Sequence, residues 1–302
     1  MEGIVVRSTG RLCEVHSGGN TVTCVLRGNI RLRGLRTTNP IAVGDRVDFD
    51  METGQETGII QRIRDRKNVI IRRATNLSKQ THILAANIDL AIVVATPILP
   101  RTSTGFIDRF LISAESYHIP ALIVFNKSDI FEMDPDIVAY FEEIYQSAGY
   151  PTMQVSATRG DNIEEFSRMI AGKTILLAGH SGVGKSALIN AISPEAHART
   201  GNISKAHNKG MHTTTFATMY MLPENTLIID TPGIKEFGVV DFEPWELGHW
   251  FREFKPLIPN CKYKNCTHRH EPGCAVRDAV EKETIHEERY SNYLGILNNI
   301  SE

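Results

Sequence analysis

Hydrophobic and polar residues alternate in short runs through the first quarter of the chain. Such alternation, interrupted by Gly, Asn, Asp and Thr, is typical of half-buried β-strands. The run Ser17-Gly-Gly-Asn20 predicts a tight hairpin turn, because glycine and asparagine accept the positive φ angles that such turns require. Five short strands suit a small closed barrel, with the OB type as first choice and the SH3-like type as second. The predicted strands are Gly3–Val6, Leu12–Val15, Thr21–Arg27, Val43–Asp50 and Gly58–Ile63.

From about Asn87 the pattern changes to apolar runs that alternate with segments of helical periodicity. This repeated alternation predicts parallel strands and helices in an α/β domain. The alternation stops near Gly238, and the remaining chain, which is helical and rich in loops, predicts a third domain. The predicted strands are Leu90–Ala95, Ala121–Phe125, Met153–Val155, Thr174–Ala178 and Thr226–Ile229, and the predicted helices are Phe106–Tyr117, Pro135–Ala148, Ile163–Ile170 and one that begins at Lys185.

The length of 302 residues favours several domains over one core. We expect an all-β barrel over residues 1–72, an α/β domain over 80–239 and a mainly helical module over 240–302. The sequence has no N-terminal signal segment and no apolar run near the ~18 residues of a membrane span, so we expect no membrane association. The odd number of cysteines, with three grouped near the end, favours a reducing cytoplasm over a disulfide framework.

Charge is unevenly distributed, although the formal net charge is only −2. Residues 1–79 contain 14 Lys and Arg against 8 Asp and Glu, whereas the remainder contains 19 against 27. A basic barrel predicts a nucleic-acid partner. Because Phe49 is its only aromatic residue, phosphate contacts with folded RNA are favoured over stacking on single strands. The candidate RNA contacts of the barrel are Arg27, Arg31, Arg33, Arg36, Arg62, Arg64, Arg66 and Lys67.

A glycine-rich loop between a predicted strand and a predicted helix carries the clearest chemistry. The stretch from Gly179 to Ser186 fits the pattern G-x-x-x-x-G-K-[ST] in the setting that this pattern requires. Its backbone N–H groups can converge on phosphate oxygens at the positive end of the following helix. Lys185 is expected to reach the β- and γ-phosphates, and Ser186 to bind Mg²⁺. The predicted nucleotide contacts here are Gly179, His180, Ser181, Gly182, Val183, Gly184, Lys185, Ser186 and Ala187.

Two further loops at predicted strand ends indicate that the base is guanine. The loop Asn126-Lys127-Ser128-Asp129 ends in a carboxylate that can accept two hydrogen bonds from guanine, whose pair of donors adenine lacks. Asn126 would brace this loop, and Lys127 would lie over the purine. The loop Ser156-Ala157-Thr158 would donate a backbone N–H to the guanine oxygen. GTP is therefore favoured over ATP.

The stretch Asp230-Thr-Pro-Gly233 follows another apolar run. Here a carboxylate can lie near Mg²⁺ and the N–H of Gly233 can sense the γ-phosphate, although this stretch alone would be an ordinary turn. The guanine loops precede the phosphate loop in the chain, whereas ordinary GTPases place the phosphate loop first. Permutation is tolerated where the original termini lie close together. The three motifs together predict a circularly permuted P-loop GTPase domain.

Cysteine and histidine residues cluster in the third domain. Three thiols and one imidazole within fourteen residues suit a tetrahedral structural zinc site, with buried free thiols as the alternative. Zinc would organise a segment with too little apolar content to fold alone. The candidate ligands are Cys261, Cys266 and Cys274, with His268 or His270 as the fourth. Candidate RNA contacts in the same loop are Lys262, Lys264 and Arg269.

The permuted order, the stretch from Lys79-Gln80 to Ala85-Ala-Asn-Ile-Asp89 and the two flanking modules resemble the bacterial ribosome small subunit-dependent GTPase A family over essentially the whole chain. The resemblance implies an OB-fold, a permuted GTPase domain and a zinc-binding domain in which His268 is the fourth ligand. It also implies ribosome-stimulated hydrolysis of GTP to GDP and phosphate, and a role in late maturation of the small ribosomal subunit through contacts with its RNA. We expect a monomer.

A polar loop over residues 196–215 is long enough to be a nucleotide-dependent switch. One threonine, Thr214 by preference or else Thr213, would complete the Mg²⁺ coordination, unless these residues are only a solvated cluster. Ile234 occupies the position where many regulatory GTPases place the glutamine that orients the attacking water. His212 is our candidate for that role, a phosphate or RNA contact being its alternative. The predicted catalytic residues are His212, Lys185 and Thr214.

Two rival functions remain compatible with the sequence. One is a GTP-gated RNA-binding assembly factor in which hydrolysis only resets binding, and the other is a P-loop kinase that phosphorylates a small molecule. Asp129 weighs against the kinase, which would usually take ATP. Turnover assays separate the three.

Overall fold

The structure is a computed structural model that describes residues 1–9, 12–26, 40–52, 54, 56–73, 81–195, 218–230 and 243–301. The chain divides into two compact units. The first comprises Met1–Ala91, Glu164–Ala178 and Ser186–Glu236, and the second comprises Ile92–Ile163, Gly179–Lys185 and Phe237–Glu302. The domain boundaries expected from the sequence stay a prediction.

The regular elements follow the predicted order of a barrel, an α/β region and a helical module. The strands are β1 (Glu2–Ser8), β2 (Leu12–Ser17), β3 (Asn20–Leu26), β4 (Arg46–Met51), β5 (Gly58–Ile63), β6 (Val69–Arg73), β7 (Thr81–Ala86), β8 (Leu90–Ala95), β9 (Ala121–Asn126), β10 (Thr152–Val155), β11 (Thr174–Ala178), β12 (Thr218–Leu222) and β13 (Thr226–Asp230). The helices are α1 (Thr104–Ser116), α2 (Pro135–Ser147), α3 (Ile163–Ile170), α4 (Lys185–Ile192), α5 (Ala275–Glu281) and α6 (Glu287–Ser301).

The first five strands form a closed barrel. Strand β1 pairs antiparallel with β2 and β4, β2 pairs with β3, β4 pairs with β5, and β3 runs parallel to β5. This circuit is that of an OB-type barrel, which the sequence predicts. Alternate side chains point inwards, so that Val5, Val15, Val47, Phe49 and Ile60 form the barrel core.

Further strands complete the first unit. Strand β11 runs parallel to β13, which pairs antiparallel with β12, and β12 meets β1 of the barrel where Arg7 lies opposite Thr218. Strands β6 and β7 form a separate two-stranded antiparallel sheet. The sequence did not predict β6, β7 or β12. The bounds of the predicted elements agree with the structure to within about three residues.

The second unit contains parallel strands and the helical module. Strand β9 lies between β8 and β10 and is parallel to β10. Helix α1 begins after Ser103, whose hydroxyl accepts a hydrogen bond from the N–H of Phe106. Ile112 of α1 belongs to the apolar core of the helical module, together with Phe251, Phe254 and Tyr293. The module is therefore packed directly against α1. None of the helices in the described residues combines the length and apolar character that crossing a bilayer requires.

Candidate nucleotide and zinc sites

The phosphate loop depends on glycine at positions where other residues would collide with neighbouring atoms. Gly184 has φ +95°, and a Cβ there would lie 2.2 Å from the side-chain nitrogen of Asn126. Gly179 has φ +150°, and a Cβ there would lie 2.4 Å from the carbonyl oxygen of Val94. These contacts explain why only glycine fits. The backbone of the loop can therefore run close against the loop that carries the guanine motif.

Side chains inside and outside the loop fix its shape. The ammonium of Lys185 donates to the carbonyl oxygens of Gly179 at 2.6 Å and His180 at 3.2 Å. The ring of His180 lies against the ring of Phe106 on α1, with centroids 3.9 Å apart. A Cβ on Gly182 would lie 3.5 Å from Pro100. The segment that leads into α1, and α1 itself, therefore support the phosphate loop.

Asn126 joins the phosphate loop to both guanine loops. Its side chain is buried at the end of β9. Its amide nitrogen donates to the carbonyl oxygen of Val183 at 2.8 Å, and its amide oxygen accepts from the N–H of Ala157 at 3.1 Å. One side chain thus binds two loops that lie about 30 and 60 residues further along the chain. The structure therefore brings together the phosphate loop and the two guanine loops.

The carboxylate of Asp129 is held by the second guanine loop. The buried hydroxyl of Ser156 donates to Asp129 Oδ1 at 2.5 Å and itself accepts from the N–H of Arg159 at 3.0 Å. Asp129 is only partly buried, and it lies in the 3₁₀ helix Ser128–Met133. A carboxylate oriented in this way can accept the two hydrogen bonds of a guanine base. Ala157 is partly buried and Thr158 is exposed in the same loop.

Lys127 adopts a left-handed backbone conformation, with φ +71°. Its ammonium donates to the carbonyl oxygen of Leu99 at 2.8 Å, in the segment between β8 and α1. The sequence instead predicts Lys127 over the purine, which stays a prediction. The contact with Leu99 was missed, although the two prolines that flank Ile98-Leu99 mark this segment as a rigid connection.

Asp161 is a supporting residue that the sequence reasoning also missed. Its carboxylate accepts from the hydroxyl of Ser128 at 3.2 Å and from the guanidinium of Arg159 at 2.7 Å. The guanidinium holds the pKa of Asp161 below its ordinary value. Asp161 thus connects the two guanine loops a second time. The turn Arg159-Gly-Asp161 directly after the Ser156-Ala-Thr158 loop was the available signal.

The candidate Mg²⁺ ligands are only partly within the described residues. Ser186 is exposed in the first turn of α4, and Asp230 is the last residue of β13, both in the first unit. A hydroxyl and a carboxylate are the hard oxygen ligands that Mg²⁺ prefers. His212, Thr213, Thr214 and Gly233 lie outside the described residues. Their predicted roles in catalysis and Mg²⁺ binding therefore stay predictions.

The four predicted zinc ligands converge in the helical module. The thiols of Cys261, Cys266 and Cys274 and the imidazole of His268 lie within 4.8 Å of one another. His268 Nδ1 is 3.6 Å from Cys261 Sγ and 3.4 Å from Cys274 Sγ, whereas His270 is exposed. Burial raises the pKa of Cys266 to about 12 and lowers that of His268 to about 4. Ionising the thiols of this buried cluster is costly unless a bound cation balances their negative charge. The three thiols and the neutral imidazole therefore fit Zn²⁺.

Two tyrosines of α6 and one glutamate support the zinc-binding loop. The hydroxyl of Tyr290 donates to the carbonyl oxygen of His268 at 2.8 Å, and that of Tyr293 donates to Thr267 at 2.7 Å. Burial favours the neutral form of Glu271, but hydrogen bonds from Thr267 and from nearby backbone N–H groups lower its pKa to about 2. These tyrosines therefore pack in the apolar core of the module and also hold the ligand loop.

Three of the basic residues predicted to face RNA are engaged within the protein. Arg64 pairs with Asp48 at 2.6 Å, and Lys67 pairs with Asp89 at 2.8 Å. Arg66 forms two hydrogen bonds to the fully buried carboxylate of Asp45. Arg62 is exposed. The other four candidates in the barrel, namely Arg27, Arg31, Arg33 and Arg36, lie outside the described residues.

The zinc-binding loop presents a different basic surface. Lys262, Lys264 and Arg269 are exposed on it, together with Tyr263. The ammonium of Lys262 lies 5.5 Å from the centre of the Tyr263 ring. Cationic groups beside an exposed aromatic ring can contact phosphates and stack on a base. Lys262 therefore combines exposure with an exposed aromatic neighbour.

Comparison with known proteins gives consistent matches over the whole chain. The family model described as RsgA GTPase matches residues 63–240, and that described as RsgA N-terminal domain matches residues 2–60. The protein named small ribosomal subunit biogenesis GTPase RsgA 2 from Bacteroides thetaiotaomicron is 51% identical over 301 residues, which are 98% of this chain and 96% of that protein. The corresponding protein from Phocaeicola vulgatus is 52% identical over 299 residues, with the same shares of both chains covered.

Two solved structures have the same architecture. The crystal structure of YjeQ from Thermotoga maritima is 37% identical, has a TM-score of 0.77 and covers 99% of this chain and 97% of its own. YloQ, described as a circularly permuted GTPase, is 27% identical, has a TM-score of 0.73 and covers 99% and 94%. The predicted permutation is thereby confirmed. The chain is a GTP hydrolase that belongs to the RsgA GTPase family.

Proposed function

We propose that this GTPase binds the small ribosomal subunit and acts in its late maturation, with GTP hydrolysis that the subunit stimulates. The observation that carries the nucleotide part is the buried side chain of Asn126, which hydrogen-bonds to the phosphate loop and to the second guanine loop at once. Relatives about 50% identical over nearly the whole chain carry the name of small ribosomal subunit biogenesis GTPases, which supports the partner. We place the protein in the cytoplasm, as a monomer.

Each loop has a separate task in this proposal. Residues 179–187 bind the phosphates, with Lys185 releasing the carbonyl oxygens of its own loop to reach the β- and γ-phosphates. Asp129 accepts hydrogen bonds from guanine, and Ala157 donates its N–H to the guanine oxygen. Ser186 and Thr214 would hold Mg²⁺ with Asp230 nearby, and the ion would neutralise charge on the phosphates.

The zinc-binding loop would contact ribosomal RNA. Zn²⁺ held by Cys261, Cys266, His268 and Cys274 would have a structural role, because four protein ligands leave no open position for a reacting water. The loop exposes Lys262, Lys264 and Arg269, and Lys262 lies beside the exposed Tyr263. Affinity for RNA should then fall steeply as salt concentration rises.

Purified small ribosomal subunits are expected to raise the GTPase rate by at least about tenfold, because ordering of the switch segments would complete the catalytic site. Phosphate release is measured at saturating GTP with and without subunits. Large subunits at the same concentration are the control. A rate that responds equally to both subunits, or to neither, would contradict the proposed partner.

Substitution of His212 by alanine is expected to leave GDP affinity within about twofold and to reduce subunit-stimulated turnover about 10²-fold, which is typical for loss of a residue that orients a reacting water. Affinity is measured with a fluorescent GDP analogue, and turnover by phosphate release. His118→Asn is a control that alters an exposed histidine outside both the switch loop and the zinc-binding loop. Unchanged turnover in the His212 variant would show that another group positions the water.

A further inference from the structure

Arg289 is a fully buried arginine for which the GTPase reaction provides no direct role. Its side chain is only 1% exposed on α6 of the zinc-binding module. The guanidinium pairs with Asp108 of α1, whose side chain is fully buried, and with Glu253 at 2.7 Å. The other oxygen of Asp108 accepts from Asn292 at 2.7 Å. Taking charges out of water is costly, so such a cluster need not add to the free energy of unfolding. Its short contacts do fix the relative positions of the charged groups.

Helix α1 also contacts the phosphate loop, and the segment that leads into α1 contacts the guanine loop. Two residues before Asp108, the ring of Phe106 lies against His180 of the phosphate loop. The segment that leads into α1 accepts the ammonium of Lys127 at the carbonyl oxygen of Leu99. This segment is closed by the hydroxyl of Thr102, which accepts from the N–H of Thr96 at 3.0 Å. A shift of the first turns of α1 would therefore move contacts of both the phosphate loop and the guanine loop.

Helix α6 contacts these first turns at two positions. Thr104, the first residue of α1, donates its hydroxyl to Glu288 at 2.5 Å, and Asp108 pairs with the neighbouring Arg289. Residues four apart lie on the same helix face, so both contacts hold one face of the first turns of α1, the end nearest the nucleotide loops. We propose that Arg289 is a positioning residue for nucleotide binding. It fixes α1 so that Phe106 holds the phosphate loop and Leu99, in the segment that leads into α1, holds the guanine loop. The inference rests on the guanine-nucleotide site proposed above.

The far end of α1 offers a matched control. Glu115 pairs with Arg252 at 2.7 Å and with Lys255 at 3.0 Å, so it also joins the zinc-binding module to α1. Seven residues of helix, or about 10 Å, separate it from Asp108. Substitution of Arg252 by methionine removes an arginine–carboxylate pair between the same two parts of the protein, but at the end of α1 remote from the nucleotide loops.

The test compares Arg289→Met with Arg252→Met in the full chain. We expect Arg289→Met to weaken binding of a fluorescent GDP analogue by about tenfold or more and to raise KM for GTP more than it lowers kcat, because misplaced binding loops cost affinity first. Zinc content should stay at one per chain. Arg252→Met should leave GDP affinity within about twofold. Equal losses in both variants, or no loss in Arg289→Met, would overturn the inference.

Removal of Arg289 alone leaves two buried carboxylates without a cation, so that variant can fail to fold. The triple variant Asp108→Asn, Glu253→Gln, Arg289→Met removes all three charges and is expected to fold, as judged by thermal unfolding and zinc content. Its GDP affinity should still be about tenfold weaker, since the link that fixes α1 is gone. Wild-type affinity in the folded triple variant would refute the positioning role. Failure of the wild-type protein to bind GDP would instead refute the proposed nucleotide site.

Discussion

Replacement of Cys274 by serine is expected to reduce bound zinc from one per chain to a small fraction and to unfold the loop of residues 261–274. Structural zinc contributes about 10–16 kcal/mol of apparent binding free energy in zinc-finger peptides, and the folding of such segments depends on it. Cys274 is 2% exposed and immediately precedes α5, so the loss would also free the start of this helix. Zinc is measured by elemental analysis, and loop unfolding by amide hydrogen exchange.

Two controls separate zinc binding from general damage. Cys13 is a buried cysteine of the barrel whose thiol donates to the carbonyl oxygen of Cys24 at 3.4 Å, and Cys13→Ser should retain zinc. His270→Ala should also retain zinc, because His270 is exposed while His268 Nδ1 faces two of the thiols. Full zinc content in Cys274→Ser, or loss of zinc in His270→Ala, would show that the ligand set is wrong.

The nucleotide motifs could be predicted because each is a local pattern. Each motif follows a predicted strand and has particular residue types at fixed spacing, such as the glycines and the lysine of the phosphate loop. The permuted order follows from the order of the motifs along the chain. The geometry that makes them one site could not be predicted. The contact of Asn126 with Val183 joins residues 57 apart, and no periodicity rule reaches that far. Only the topology of the sheet, which places strand ends at one edge, gave a reason to expect it.

A count of charges along the chain does not show which basic residues of the barrel are free to face a partner. The excess of arginine and lysine in residues 1–79 suggests a basic surface, but Arg64, Arg66 and Lys67 pair with carboxylates from other segments. A count along the chain cannot show which opposite charges the fold brings together. The pair of Arg289 with Asp108 is hidden for the same reason, since 181 residues separate them. Helical spacing rules reach only three or four residues.

Strands β6, β7 and β12 were missed for a related reason. Residues 69–73 read Val-Ile-Ile-Arg-Arg, which lacks clean alternation, and residues 218–222 read Thr-Met-Tyr-Met-Leu without a flanking turn signal on the N-terminal side. Their strand character is decided by partners, β7 for β6 and β13 for β12. Strand propensity depends on such context more than helix propensity does.

Substitution of Asp129 by asparagine is expected to lower affinity for GDP by about 10³-fold or more. The carboxylate would accept from both the ring N–H and the amino group of guanine, whereas an amide offers one acceptor and places its own donors against the base. Sites that hydrogen-bond a ligand group discriminate by about 10⁴–10⁵-fold against a mismatched one. Xanthine carries a carbonyl in place of the amino group, so xanthosine diphosphate should bind the variant more tightly than GDP does. Titration calorimetry with both nucleotides measures the change.

The acid-to-amide control for Asp129 lies on the same 3₁₀ helix, Ser128–Met133. Glu132 is exposed there, and Glu132→Gln should leave GDP affinity unchanged. Ser156 donates to Asp129 at 2.5 Å, so Ser156→Ala should weaken GDP binding by a smaller factor, because it only loosens the carboxylate. If Asp129→Asn retained wild-type affinity for GDP, or lost affinity for xanthosine diphosphate equally, Asp129 would not be reading the base. Guanine specificity would then have to reside in the loop that contains Ala157.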